Sequence, residues 1–317
     1  MKKRIVLLMA TVMMLAKGYS QINQLSISDL YTPNAPGFAL ADVSPSSIDK
    51  PTTPRAFGIS LLNLSQGGAM EVTPFWLTNH ANLTFDKYIQ KKTPLLETFN
   101  LSVATFKTDT VNNVAAGFRT HIFRSYSADK IKQLQGIKNQ IIQALATDPT
   151  NIDTAAISKF KQDLTDARKR GFFLVELAGA LMASSPTNSY NDLASSKSGF
   201  WLNARWAPDN SALDFMGLAR YTWTNNAPVK AADSSFFDYG IALSYATGKF
   251  DCELEYIARR DFSIDKSYTR FAFVANYMFS ESVIAVASIG KNFMSTGNIL
   301  AAFGVKFTVA KERVSLF

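Results

Sequence analysis

The stretch FDCELEYIAR, residues 250–259, alternates between polar and apolar side chains with a period of two. Charged residues occupy positions 251, 253, 255 and 259, whereas Cys252, Leu254 and Tyr256 have the other parity. Successive side chains of a β-strand point to opposite faces of the sheet. The stretch therefore predicts a strand with one polar face and one apolar face.

The same alternation recurs along most of the chain. In RFAFVANYMF, residues 270–279, aromatic side chains at 271, 273, 277 and 279 share one parity. The pattern predicts about twelve strands, at approximately 55–64, 69–78, 97–107, 111–124, 171–183, 198–206, 212–224, 235–247, 250–260, 267–279, 282–291 and 297–309. A tilted strand needs about 9 to 11 residues to cross a membrane, and the predicted strands are long enough.

The composition narrows the class of protein. Of the 317 residues, 47% are hydrophobic and only 18% are charged. This apolar content excludes a disordered chain. A mean hydropathy of +0.00 argues against a bundle of transmembrane helices. The remaining classes are soluble globular proteins and membrane β-barrels.

Residues 1–20 have the features of a secretory signal peptide: basic residues at positions 2–4, an apolar run over 5–16, and small residues at 18 and 20. We expect cleavage before Gln21, the alternative being an uncleaved anchor helix. Removal lowers the formal net charge from +8 to +4, so the basic balance does not indicate nucleic-acid binding. The single cysteine, Cys252, excludes an internal disulfide. Residues 21–54 are rich in proline and predict an extended leader.

A soluble β-sandwich is the alternative to a membrane barrel, because both contain alternating strands. In a sandwich the outward face would be charged, whereas here the second face is mostly small and neutral, as in a barrel interior. Aromatic residues near predicted strand ends are typical of the girdles at membrane interfaces. They are Trp76, Trp206, Tyr221, Trp223, Phe237, Tyr239, Tyr245, Tyr268, Tyr277 and Phe279.

Together, the signal peptide, the period-two strands, the aromatic girdles and the C-terminal Phe317 resemble bacterial outer-membrane β-barrel proteins of porin-like class. The resemblance implies an all-β fold: a transmembrane antiparallel β-barrel in the cell outer membrane, in contact with its lipid. In such proteins the last strand ends on an aromatic residue preceded by alternating apolar residues. Here Arg313 and Ser315 interrupt that alternation.

Residues 127–169 interrupt the period of two with helical spacing. Ile131, Leu134, Ile137, Ile141 and Leu145 recur at steps of three or four, and so do Ile152, Ala156, Phe160, Leu164 and Ala167. The pattern predicts an αα-hairpin inserted in the barrel. Its apolar stripes pack on each other, on the barrel mouth or on a periplasmic protein partner. Counting strands from the C-terminus puts the hairpin in the periplasm, whereas its length favours the extracellular side.

The sequence offers little for catalysis. It has two histidines, His80 and His121, and no hydrolase, metalloprotease, nucleotide-binding or paired-cysteine motif. We therefore expect no enzyme activity, no cofactor and no metal site. The carboxylates at 251, 253 and 255 do not suit calcium, because a flat strand cannot surround the ion with six to eight oxygens.

Charged residues on the inward parity are the candidate pore-lining residues. They are Arg119, His121, Glu176, Arg205, Arg220, Asp251, Glu253, Glu255, Arg259, Arg270 and Lys306. An acidic stripe facing a basic stripe would either select small polar solutes or close the lumen with salt bridges. Inward Leu174, Met216, Leu218, Phe123 and Met278 would narrow the lumen further.

Three functions fit these features. The first is a narrow pore or transporter for small polar or charged solutes. The second is a scaffold barrel that recruits partners through its hairpin. The third is an outer-membrane hydrolase that uses His121, which is less favoured because this histidine is predicted to point inward.

Overall fold

The computed structural model describes residues 36, 40, 48–49, 68–78, 80, 82–108, 111–147, 154–185, 190–225, 233–280, 283–291, 293 and 300–307. The predicted signal peptide, the predicted strand 55–64 and the terminal Phe317 lie outside these residues.

Twelve strands form the sheet. They are β1 (Ile48–Asp49), β2 (Gly68–Val72), β3 (Asn100–Thr108), β4 (Val111–Tyr126), β5 (Phe172–Ser185), β6 (Ala194–Ala207), β7 (Leu213–Thr224), β8 (Ser234–Thr247), β9 (Phe250–Asp261), β10 (Lys266–Ser280), β11 (Val283–Lys291) and β12 (Leu300–Phe307). Eleven of the predicted strands overlap one of them. The all-β prediction is confirmed.

Each strand pairs with the next one along the chain, from β1 to β12. All the pairings are antiparallel except that of the two-residue β1, which runs parallel to β2. Within the described residues the ladder ends at β1 and β12. A sandwich needs two sheets, and the described strands form one.

The two faces of the sheet have inverted polarity. One face, which we call the exposed face, presents large apolar side chains such as Phe200, Tyr239, Ile241, Leu254 and Phe273. The other, the buried face, contains side chains hidden from solvent, and many of these are charged. They include Asp238, Glu253, Glu255, Arg220 and Arg270. Residues 250–259 alternate between these two faces. Glu253 and Glu255 are buried, whereas Leu254 and Tyr256 are exposed.

Three α-helices lie at one end of the sheet, which we call the helical end. They are α1 (Phe85–Gln90), between β2 and β3, and the hairpin α2 (Ala128–Thr147) and α3 (Thr154–Ala167), between β4 and β5. The turns between β6 and β7 and between β8 and β9 lie at the same end, because the strands alternate in direction. None of the helices among the described residues is long and apolar enough to cross a membrane.

The hairpin packs on its own chain. Leu134 and Leu164 are buried with Ile89 of α1, and Tyr88 and Tyr126 border this small core. Leu134 and Leu164, which belong to the apolar stripe of the hairpin, are therefore covered by α1 and by the end of β4.

Two local features differ from the sequence prediction. The strand predicted at 69–78 ends at Val72, because Pro74 opens a short 3-10 helix, Pro74–Leu77, that contains Trp76. A register shift between His121 and Phe123 inserts one extra residue in β4. Phe123 consequently lies on the exposed face against Phe173, with ring centroids 6.0 Å apart, and does not narrow the interior.

Candidate functional site

The buried face carries a cluster of three charges on adjacent strands. Asp238 of β8 pairs directly with Arg220 of β7 and Arg259 of β9 in the ladder. Arg220 donates to Asp238 Oδ2 from Nε at 2.9 Å and from Nη2 at 2.6 Å. Arg259 donates from Nε to Oδ1 at 2.7 Å and from Nη2 to Oδ2 at 2.9 Å. The carboxylate is 0% exposed.

A second cluster lies on the same face nearer the helical end. Asp214 of β7 accepts from Arg205 of β6 and, at 3.0 Å, from Arg170, which precedes β5. Arg170 also donates to the carbonyl of Ser211 in the β6–β7 turn. The hairpin connection is thus tied to the neighbouring turn through a buried carboxylate.

The acidic ladder of β9 has cationic and amide neighbours on β10. Glu255 Oε2 lies 3.5 Å from Arg270 Nη2, and both residues are buried. Asp251 accepts a hydrogen bond from Asn276 Nδ2 at 3.0 Å. Glu253 lies between them and is buried. Arg270 therefore neutralises Glu255, whereas the described partner of Asp251 is an uncharged amide.

Two further ion pairs lie on β4. Arg119 donates to Glu71 Oε1 from Nε at 3.0 Å and from Nη2 at 2.5 Å. His121 Nε2 lies 3.0 Å from Glu176 Oε1 of β5. In this arrangement His121 is the partner of a carboxylate on the neighbouring strand.

Apolar side chains fill the space between these charges. Trp201 is 2% exposed and Ile257 is 0% exposed, and they belong to one buried cluster with Met216 and Leu218. The leader contributes Leu40 to this cluster. Lys197 Nζ donates to the Leu40 carbonyl at 3.0 Å. A Cβ on Gly199 would lie 3.0 Å from Leu40 Cδ2, so the missing side chain of Gly199 makes room for this leucine.

The candidate pore-lining residues whose side chains are described lie on the buried face, in several separate clusters. The structure brings together Arg220 with Arg259, Glu255 with Arg270, and His121 with Glu176. Lys306 pairs with Ile284 in the ladder, and its side chain is outside the described part of the chain. Among the described histidine, cysteine, aspartate and glutamate residues, no group of three could hold a metal ion.

Sequence reasoning missed the acidic partners Glu71, Asp214 and Asp238. Asp214 and Asp238 have the same parity as the inward arginines of their neighbouring strands. The parity of Asp214 and Asp238 therefore predicts that they lie on the same face as these arginines. It does not predict which arginine each carboxylate contacts. Glu71 lies on a strand of only five residues, which gives a weak alternation.

The helical end is held to the sheet by ion pairs outside the strands. Lys130 Nζ of α2 lies 2.8 Å from Asp209 Oδ1 in the β6–β7 turn, and the Ser127 hydroxyl donates to the same carboxylate. Gly171 has a φ of +76°, and a Cβ there would lie 2.2 Å from Asp209 Oδ1. The positive φ favours glycine at this position, and a side chain there would also displace Asp209 from Lys130.

Carboxyl groups at the helical end are stabilised in their ionised form. Burial raises the pKa of Asp209, but the hydrogen bonds from Lys130 and Ser127 outweigh it and lower the pKa below its ordinary value. Lys138 of α2 donates to Asp86 of α1 at 2.5 Å, and this hydrogen bond lowers the pKa of Asp86.

Comparison with known proteins gives few matches. No protein-family model and no curated protein matches the chain. Among solved structures, the chain is similar to the NanC porin in its rhombohedral crystal form, with a TM-score of 0.36 and 12% identity. The similarity covers 67% of this chain and 87% of the porin chain.

Proposed function

We propose that this chain is an outer-membrane β-barrel with a sealed interior that acts as a membrane-embedded scaffold. The inverted polarity of the sheet carries the proposal. Large apolar side chains such as Ile241 and Leu254 face outward, whereas charged side chains such as Asp238 and Glu255 are buried. This arrangement is unfavourable in water and favourable in lipid.

The same inversion supports closure of the sheet into a barrel. Among the residues that the structure describes, no second sheet or helical layer covers the middle of the buried face, yet Trp201, Ile257 and Asp238 are almost completely hidden. A sheet that curls on itself buries such a face without another layer. About twelve strands give an interior between a filled barrel and an open channel.

The packing of the interior favours a scaffold over an open pore. An aqueous channel would leave its lining side chains accessible to water, whereas Glu255, Arg270 and Trp201 are buried. The scaffold would present its helical end, the proposed periplasmic side, to a protein partner. Because the apolar stripe of the hairpin is covered, recognition would use its exposed polar residues, such as Asp129 and Lys132.

Planar-bilayer conductance of the refolded mature chain tests the sealed interior. We expect no steady current from protein whose circular dichroism shows folded β-structure. A steady, ion-selective current would instead establish a pore. Deleting 127–169 tests the scaffold: periplasmic proteins that copurify with the full chain should be lost. If periplasmic proteins still copurify with the deletion variant, the hairpin is not the element that recruits them.

Solute passage is the second candidate function, and the charged interior supports it. Side chains of both signs lie on the buried face: Asp214 is beside Arg205 towards the helical end, and Asp238 is beside Arg220 and Arg259 nearer the other end. Such charges would bind and orient polar solutes if the interior opened. In that case Glu253→Gln should reduce cation selectivity.

We further propose that the protein is not an enzyme. The described contact of the His121 ring is an ion pair with Glu176, and its backbone N–H donates to the Thr98 hydroxyl at 2.9 Å. This geometry supports a structural role for His121. If the chain did hydrolyse lipid esters through this residue, His121→Ala would abolish the turnover.

A further inference from the structure

An apolar surface protrudes from the long connection between β2 and β3. Trp76, Leu95 and Leu96 are 48%, 45% and 67% exposed, and we call them the β2–β3 apolar rim. Trp76 Nε1 donates to the Glu97 carbonyl at 2.9 Å, which ties the short helix Pro74–Leu77 to the turn that follows Pro94. The indole N–H is therefore satisfied while the ring remains exposed.

The rim lies on the same side as the exposed face of the sheet. Thr120 of β4 donates from its hydroxyl to the Leu95 carbonyl at 2.7 Å. Thr120 alternates with Arg119 and His121, whose side chains pair on the buried face, so its own side chain points to the exposed face. The backbone N–H of Arg124 donates to the Lys92 carbonyl at 2.7 Å, so the connection runs alongside β4 beyond the start of β3.

Aromatic contacts continue the rim into the exposed face. Phe99, three residues after Leu96, stacks on Phe118 with ring centroids 6.0 Å apart. Phe118 in turn contacts Phe200 at 6.4 Å, edge to face. The rim is thus the extension, at the helical end, of the apolar surface that the proposed barrel presents to lipid.

The charges around the rim suit an anionic lipid surface. Glu97 beneath it is 4% exposed and pairs with Lys91 Nζ at 2.5 Å, so the acidic group is neutralised. Lys87 and Lys92 are exposed beside it. Aromatic and apolar residues bordered by lysines are typical of segments that lie in a membrane interface.

We propose that the β2–β3 apolar rim is an interfacial anchor, which inserts into the phospholipid leaflet at the helical end, with the neighbouring lysines at the phosphate headgroups. This inference rests on the proposed function, since it needs the barrel to span a membrane. Its occupant is lipid, and neither a second copy nor a protein partner is required.

Spin labels test the anchor in the full mature chain with Cys252→Ser, reconstituted in vesicles of phosphatidylethanolamine and phosphatidylglycerol. We expect the ratio of collisions with oxygen to collisions with a water-soluble nickel chelate to be several-fold higher at Leu96→Cys than at Lys132→Cys. Lys132 is 79% exposed on the hairpin and serves as the aqueous control. Leu95→Cys gives a second reporter if Leu96→Cys fails to fold.

The barrel has its own control in Leu254→Cys, on the exposed face of β9. An aqueous signal at Leu96→Cys with a lipid signal at Leu254→Cys would overturn the anchor and leave the barrel intact. An aqueous signal at both sites would overturn the barrel itself. A Leu96→Cys label shielded from both collision partners would indicate a protein–protein contact and also overturn the anchor.

Discussion

Asp238 is the residue on which the interior charges of β7, β8 and β9 converge. Its carboxylate is shared by Arg220 and Arg259, and removing it leaves two guanidinium groups facing each other in a buried site. Breaking a buried ion pair in this way costs about 3–5 kcal/mol, because the remaining charge loses its partner. We expect Asp238→Ala to lower the free energy of unfolding by this amount, measured by urea denaturation in vesicles.

Asp265→Asn is the matched control for this loss. Asp265 also pairs with an arginine, Arg260, but both side chains lie in or beside an exposed turn, and solvent screens such pairs. Little change is expected. An equal loss of stability in the two variants would show that burial of the Asp238 cluster has no special importance.

At the residue scale, the sequence predicts faces better than contacts. Parity assigned Glu253 and Glu255 to the buried face correctly. Parity assigned Phe123 to the wrong face, because the extra residue in β4 reverses the parity from that point onward. The sequence pattern contains no sign of this extra residue. Burial of Leu40 was also unpredictable, since the leader has no periodicity and Gly199, which accommodates it, is distant in sequence.

The helical hairpin is the element whose attachment should depend on pH. The folded pKa values of Asp86 and Asp209 lie below the ordinary value of 3.8. Such groups stabilise the folded state above the unfolded pKa, and the stabilisation is lost as the pH falls through the folded pKa. A dye on Ile142→Cys, in a Cys252→Ser chain, should therefore keep a constant anisotropy at neutral pH and lose it below about pH 4.

The double variant Asp86→Asn, Asp209→Asn should show a lower anisotropy than the parent at pH 7, with a flatter profile, although the core around Leu134 still holds the hairpin. Asp166→Asn is the control. Asp166 of α3 also has a lowered pKa because it pairs with Lys169, but it makes no described contact with the sheet. An unchanged pH profile in the double variant would contradict the attachment through these two carboxylates.

At the element scale, periodicity is informative wherever packing imposes one repeat over many residues. The hairpin predicted at 127–169 contains helices at 128–147 and 154–167, because their apolar stripes pack against one core. The strand predicted at 69–78 was too long, since Pro74 has no N–H to continue the ladder. The pairing of Lys130 with Asp209 could not be predicted, because no sequence pattern records which turn the helix meets.

At the scale of the whole molecule, the cost of placing a charged side chain on the exposed face should depend on its depth in the proposed membrane. Ile241 is 68% exposed near the middle of β8. In the proposed barrel, a lysine at this position would lie in the hydrocarbon region. We expect Ile241→Lys to cost about 2–4 kcal/mol when the chain folds into vesicles. Phe262→Lys, in the turn after β9, should cost about 0–1 kcal/mol because it lies at the interface. The fraction folded, read from electrophoretic mobility without boiling, measures both.

Equal folding yields for the two lysine variants would contradict a lipid-facing β8. The sequence predicted that the two faces of the sheet differ in polarity. Side chains alternate between these faces along every long strand, so the pattern depends only on what surrounds each face. It left open whether the lumen was passable. Packing on the buried face depends on how Trp201, Met216 and Ile257 meet across strands, and the spacing of residues along one strand does not contain that information.

The burial of Leu40 restricts the order in which the chain can be assembled. Its site on β6 exists only after more than 150 further residues have been added, since Lys197 and Leu40 are 157 residues apart. Leu40 must therefore remain without this contact until β6 has been made. A bulky domain fused directly ahead of Leu40 would have to be accommodated beside Lys197 and Gly199, so this part of the leader cannot be treated as a free tail when the protein is tagged for production.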